Sequence, residues 1–280
     1  MKIGYAYPEK KLLRKQGSRL SLKNVVRMGR ENILRLGDSL GWNRKHGISV
    51  FRIPLDTIPF TGPATSPEAW KPELDVEGDV VGKELRGMRM FMRTTSQYSM
   101  GSPDKGLARR SMAEIEHCAA TMDLLGLGIS SKIITKIGRV SGRRKDTARR
   151  FISNFRRLSG PAKERLVVEN DRQHWSFYDA FGVAGKLKIP IVFNYPAFLK
   201  KQFTELSARD IISVASISWG KEDGPQKVHY SEFSKGKKRK SITKKEFAKF
   251  YQEVEGMNVD IVLDTEEGGR SVIKALELVR

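Results

Sequence analysis

The sequence predicts a (β/α)₈ TIM barrel. Short apolar runs of strand type recur eight times, and each is followed by a longer stretch with helical spacing. The length of 280 residues suits eight such units with no ninth. No stretch reads as a linker, so residues 1–280 are expected to form a single domain. An open doubly wound sheet uses the same alternation and is the competing arrangement.

The units follow in order. KIGYAY (2–7) is the first strand, and SLKNVVRMGRENILRLGDSLGWNRKHG then repeats apolar residues three and four apart, as one helix face requires. SVFRIP (49–54) is the second, followed by a Pro- and Gly-rich loop and the helical DVVGKELRGM. RMFMRT (89–94) precedes the amphipathic LARRSMAEIEHCAATMDLLGL. SKIITKIG (131–138) leads into TARRFISNFRRL, and RLVVEND (165–171) into WSFYDAFGVAGKLK. IPIVFN (189–194) is followed by TELSARDIISVASISW, QKVHYSEF (226–233) by TKKEFAKFYQEVEG, and VDIVLD (259–264) by RSVIKALELV.

In this architecture, functional groups gather where strands end and the following loops begin. Tyr5, Arg52, Thr94, Lys136, Glu169, Asn194, His229 and Asp264 stand at or near those ends, and each carries a polar group. Strands also end in polar residues simply where they meet water, but two carboxylates and an imidazole argue for a site. Glu169, Asn194, His229 and Asp264 offer oxygen and imidazole donors suited to one divalent cation, Mn²⁺, Mg²⁺ or Zn²⁺. They come from four strands, so spacing does not arbitrate, and His229 equally suits a hydrogen-bonded core position. Of the other histidines, His46 ends the first helix, His117 lies on a helix and His174 in a loop. There is no GxxxxGK[ST] phosphate loop and no G-x-S-x-G nucleophile elbow.

Charge is the strongest compositional signal. Lys and Arg number 52 against 32 Asp and Glu, a formal excess of +20. That excess favours a polyanionic partner, because basic contacts to phosphate release counterions; a charge-rich thermophile surface or attraction to anionic lipid are the alternatives. Lys235, Lys237, Lys238, Arg239 and Lys240 cluster after the seventh strand, and Arg139, Arg143, Arg144 and Lys145 after the fourth. On a barrel both clusters fall at the same rim, near Tyr5 and Tyr98, as a groove tracking a nucleic-acid backbone requires. Cys118, the single cysteine, sits at helical spacing among apolar residues and reads as a small buried hydrophobe. No disulfide framework, signal peptide or membrane-spanning run is expected, which points to a cytoplasmic protein with no membrane partner.

Several fragments together resemble the ultraviolet-damage endonuclease family, metal-dependent DNA-repair barrels related in fold to endonuclease IV. They are IGY near the N-terminus, NRKHGISVFRIPLDTIPF (43–60), QYSMGSPD (97–104), RRFISNFRRL (149–158), LVVEND (166–171), KVHYSE (227–232) and VDIVLDTEE (259–267). They fall in the family's order and span nearly the whole chain. The resemblance implies a cluster of three metals, yet the positions are unevenly kept. Thr61-Gly62-Pro63, Thr94, Lys136 and Ala197 stand where the family has histidines, and Asn194 replaces an aspartate. Glu169, Lys227 and His229 are retained, with Asp264 in place of glutamate.

The four candidate ligands match the surroundings of a single metal of that cluster. At most one divalent cation, or none, is therefore expected. Lys136 has no acceptor, cannot ligate while protonated, and is expected to pair with Glu169 as a fixed salt bridge. The resemblance also assigns Gln97 and Tyr98 to a wedge that enters the duplex where damaged nucleotides are extruded, and Tyr5 to the active site. The resulting expectation is a barrel that binds double-stranded DNA, damaged or distorted, with nuclease activity weakened or lost. Two alternatives stand beside it. One is an active endonuclease on a single metal, with Glu169, Lys227 and Lys136 as catalytic residues. The other is a basic structural subunit of a ribonucleoprotein or nucleoid.

Overall fold

Eight parallel strands close on themselves in the computed structural model, which describes residues 1–6, 20–60, 66–95, 97, 99–200, 205–234 and 236–279. The strands are β1 (Lys2–Ala6), β2 (Val50–Arg52), β3 (Arg89–Arg93), β4 (Lys132–Lys136), β5 (Leu166–Glu169), β6 (Ile191–Asn194), β7 (Gln226–Tyr230) and β10 (Val259–Leu263). Each pairs with its neighbour in sequence, and β10 closes the ring onto β1. A two-stranded antiparallel hairpin, β8 (Phe233–Ser234) and β9 (Lys237–Lys238), rises from the loop after β7. The closed ring excludes the open doubly wound sheet.

The longer helices are α1 (Leu22–Lys45), α3 (Asp75–Glu84), α4 (Lys105–Leu124), α5 (Arg144–Phe155), α7 (Phe177–Leu187), α9 (Ala208–Ser216), α10 (Lys244–Val254) and α11 (Gly269–Leu278). Short turns of helix, α2 (Pro67–Trp70), α6 (Gly160–Arg165) and α8 (Tyr195–Lys200), were not legible as separate elements. Local chemistry sets several starts. The Asp104 side chain accepts from Leu107 N at 2.9 Å to open α4, while Ser176 with Asp179 and Ser207 with Asp210 form capping boxes on α7 and α9.

Period-two alternation divides each strand between two environments. Val50, Phe91, Ile134, Val167, Val192 and Val262 meet inside the barrel as an apolar plug. Their sequence neighbours, among them Phe51, Ile133 and Val168, pack outward in the larger core beneath the helices. Gly4 lies in register with Val50 and Val262, where a Cβ would come within 2.1 Å of the Val50 carbonyl oxygen, so only glycine fits.

Charged residues flank the plug two positions away on the same strands. Arg89, Lys132 and Asp260 lie below it, at the strand starts. Arg93, Lys136, Glu169 and Asp264 lie above it, at the strand ends. The barrel interior is thus two charged layers separated by hydrocarbon.

Candidate functional site

Glu169 closes β5 and is fully buried. Burial alone raises a carboxyl's pKa, but Arg93, His229 and Lys136 outweigh it and hold Glu169 well below the usual carboxylate range. Arg93 Nη2 donates to Glu169 Oε2 at 2.6 Å. On the other oxygen, Oε1, Asn194 Nδ2 donates and His229 Nδ1 lies at 2.8 Å. A carboxylate only accepts, so His229 carries its proton on Nδ1 and leaves Nε2 as a buried lone pair with no partner among the described residues. Burial depresses the imidazole's pKa against the pull of Glu169, which keeps His229 neutral.

Asp264, one residue beyond β10, meets a second group of cations. Lys238 Nζ lies 2.8 Å from its Oδ1, and Arg93 Nη1 lies 3.9 Å from its Oδ2. Burial raises this carboxyl's pKa, yet Arg52, Lys238 and Arg93 together hold it well below the ordinary value. Arg93 therefore bridges two carboxylates, and the β8–β9 hairpin is tied to the rim through Lys238.

Above these groups opens a cavity of about 500 Å³. Its cationic lining is Arg93, Lys136, Arg139, Arg172 and Lys238; its carboxylates are Asp171 and Asp264. Asp171 Oδ1 is taken up by the backbone amides of Gln173 at 2.7 Å and His174 at 2.6 Å, which folds the loop after β5 into a tight turn. The Arg172 guanidinium lies 3.7 Å above the Phe233 ring, and its buried Nε has no hydrogen-bond partner among the described residues.

The same arrangement of elements occurs in known proteins. The model of the UV-endonuclease UvdE family matches residues 10–278. The chain belongs to the UvdE family. The UV DNA damage endonuclease of Clostridium perfringens is 30% identical over 292 residues, spanning 100% of this chain and 71% of that protein. The UV-damage endonuclease of Neurospora crassa is 29% identical over 228 residues, 76% of this chain but only 35% of that longer protein. The crystal structure of SacUVDE superposes with a TM-score of 0.90 at 26% identity, covering 100% of this chain and 98% of that one.

A metal cluster is what the resemblance implied for a UvdE barrel, and the donors of this one do not fit it. Both oxygens of Glu169 accept from protein donors, and Asp264 faces Lys238 and Arg93. Asn194 turns its amide nitrogen to Glu169, and its Oδ1 accepts from Ala197 N at 3.0 Å. Of the four expected ligands, His229 alone keeps a buried donor atom, Nε2, with no hydrogen-bond partner among the described residues. Among the described residues no group of three or more His, Cys, Asp or Glu is arranged to hold a metal ion.

Other sequence expectations for this UvdE barrel shift. The salt bridge expected between Lys136 and Glu169 is made by Arg93 instead. Lys136 is in register with Glu169 and contributes charge from its neighbouring strand, with no ion pair within bonding distance among the described residues. Arg93 was missed because the rim position of RMFMRT was read as Thr94. The alternation Arg89, Phe91, Arg93 was the available signal, and Thr94 instead shares a 2.9 Å hydrogen bond with Thr135. Arg172 was missed because it follows the strand in an irregular loop.

Tyr5 does not reach the rim. It is 4% exposed, points outward by strand alternation, donates to Asn43 Oδ1 at 2.9 Å and packs edge-on to Phe51. Lys227 is set apart as well: it pairs in register with Asp260, facing Arg89, Lys132 and Asp223 below the apolar plug. Burial lowers its pKa to about 8, and its ammonium lies 5.2 Å from the Trp219 ring centre. The apolar plug lies between its layer and that of Glu169.

Of the nucleic-acid candidates, Arg139 lines the rim cavity and Gln97 is exposed. Arg143 pairs with Asp146 at 2.9 Å and Arg144 with Asp179 at 3.2 Å, so both carry local counter-charges. Lys145 is exposed at the start of α5. The second cluster folds as the hairpin: Lys237, Arg239 and Lys240 are exposed, while Lys238 turns inward to Asp264. Tyr98, Lys235 and Thr61-Gly62-Pro63 lie outside the described residues.

Proposed function

We propose that this UvdE barrel is a DNA-binding member of its family, acting on damaged or distorted duplex, in which metal-dependent strand cleavage is weakened or lost. The observation that carries the reading is the engagement of Glu169 by Arg93, Asn194 and His229. Phosphodiester hydrolysis in metal-dependent nucleases relies on ions that activate water and stabilise the leaving oxygen. A carboxylate whose lone pairs already accept from a guanidinium, an amide and an imidazole is a poor ligand for them. We take the chain to hold at most one divalent cation.

Three features support DNA as the partner: the excess of +20 charges, the cationic lining of the rim cavity, and the names of the relatives as UV DNA damage endonucleases. Gln97 stands exposed in the segment after β3, and an amide there can fill hydrogen bonds vacated by an extruded base. None of the helices among the described residues is long and apolar enough to cross a membrane.

The test uses supercoiled plasmid, irradiated or intact, with the purified protein and Mn²⁺. Preferential binding to irradiated DNA without nicking is expected. Nicking that depends on Mn²⁺ and disappears in Glu169→Gln would sink the loss of cleavage, and equal affinity for both plasmids would remove lesion preference.

A further inference from the structure

We infer that the rim cavity binds a phosphodiester group directly through its own cations, without a divalent metal as intermediary. The inference rests on the proposed DNA-binding reading and names the group recognised at its centre. Its starting point is the disagreement between the metal cluster implied by resemblance and the donors present. Where ions would balance Glu169 and Asp264, the Arg93 guanidinium does so, held 2.6 Å from one carboxylate and 3.9 Å from the other.

The charge around the cavity points the same way. Five cationic side chains line it against two carboxylates. Arg93 and Lys238 are committed to Glu169 and Asp264. Among the described residues no carboxylate lies within ion-pairing distance of Lys136, Arg139 or Arg172. Asp171, the remaining acid, spends Oδ1 on two backbone amides. A partly enclosed space with three uncommitted cations favours an anion over a neutral or cationic ligand.

Arg172 gives that preference a shape. Its guanidinium carbon lies 3.7 Å from the Phe233 ring centre, so the aromatic ring backs the group and fixes where it sits. Among the described residues no hydrogen bond engages its guanidinium nitrogens, and the Nε, covered from solvent, lacks a partner. A planar fork matches two oxygens of a phosphate, whereas a compact ammonium such as Lys136 acts as a point charge beside it. Asp171 sets the position of this fork through the turn that precedes α7. In this UvdE barrel the phosphate-holding role passes from bound ions to Arg172, Lys136 and Arg139.

The probe is a thymidine dinucleotide with one phosphodiester, compared with its uncharged methylphosphonate analogue, by calorimetry or ligand-observed NMR. Binding in excess chelator, unchanged by added Mn²⁺ and at least roughly ten-fold weaker for the analogue, is expected, since hydrogen bonds to charged groups are worth that factor or more. Arg172→Ala is expected to lower phosphodiester affinity roughly ten-fold and bring it near that of the analogue. Lys136→Met, on a strand end rather than in a loop, serves if Arg172→Ala does not fold. The proposal is overturned by a requirement for Mn²⁺, by equal affinity for the two dinucleotides, by no detectable binding of either, or by an unaffected variant. Irradiated duplex measured in parallel separates the two ideas. Duplex binding with no dinucleotide discrimination removes the phosphate site alone, whereas a discriminating site in a protein that ignores duplex removes the DNA reading alone.

Discussion

Arg93 at the end of β3 and Glu169 at the end of β5 meet at 2.6 Å above the barrel's apolar plug, 76 residues apart in sequence. The carboxylate is fully buried, and the guanidinium keeps 19% of its side-chain surface exposed. Glu169 is a buried charge held by one cation and two neutral donors. Such a charge is stable only while its partners remain.

Removing the cation alone should therefore be costly. Arg93→Met is expected to destabilise the protein by about 3–5 kcal/mol, the usual penalty for orphaning a buried charge. Arg93→Met with Glu169→Gln should recover at least half of that loss, because no charge is then left unpaired. Urea denaturation of the two single variants and the double completes the cycle. Additive effects would show that the pair is not coupled.

A second buried carboxyl lies near the loop that carries Gln97. Glu114 on α4 accepts from the Thr95 amide and, at 3.2 Å, from Thr95 Oγ1. It is 1% exposed, and burial raises its pKa to about 7. The folded state then retains a proton that the unfolded chain loses above the ordinary value of 4.5. Stability contributed by this group falls as pH rises from 4.5 to about 7 and is level beyond. The expected fall is about 3 kcal/mol. Denaturant midpoints across that window should decline in the parent and flatten in Glu114→Gln; parallel profiles would locate the pH dependence elsewhere.

Not every rim cation should contribute equally to DNA binding. Arg139 lines the cavity with no ion pair among the described residues, whereas Arg143 already pairs with Asp146. Arg139→Ala is expected to reduce the slope of log affinity against log salt by about 0.9, the value of one phosphate contact on duplex DNA. Arg143→Ala should reduce it less, because the residual Asp146 charge was already opposing phosphate there. Titrations at several salt concentrations read both slopes.

Gly138 joins the end of β4 to the segment after Gln97. Its φ is +103°, and a Cβ would fall 1.9 Å from Ser99 Oγ, which itself accepts from Gly101 N at 2.9 Å. Gly138→Ala is expected to cost about 3 kcal/mol or more, combining backbone strain with the displacement of Ser99. Thermal denaturation within about 0.5 kcal/mol of the parent would show that this segment moves aside freely.

The barrel follows from the order of residues alone. Strand alternation and helix spacing are local, so eight units could be counted and their polar ends located before any contact was known. Glu169, Asn194 and His229 gather at the rim as that alternation required, with Asp264 beside them. What those residues bond to depends on contacts between distant strands. Lys227 and His229 look equivalent two positions apart, yet the plug separates the layer of Lys227 from Glu169. Tyr5 is turned outward by the same period that turns Gly4 inward. Arg93 finds Glu169 and Asp264 because closure of the ring brings β3, β5 and β10 within reach across its interior. Such pairing depends on the lateral register of separate strands, and neither composition nor spacing records it.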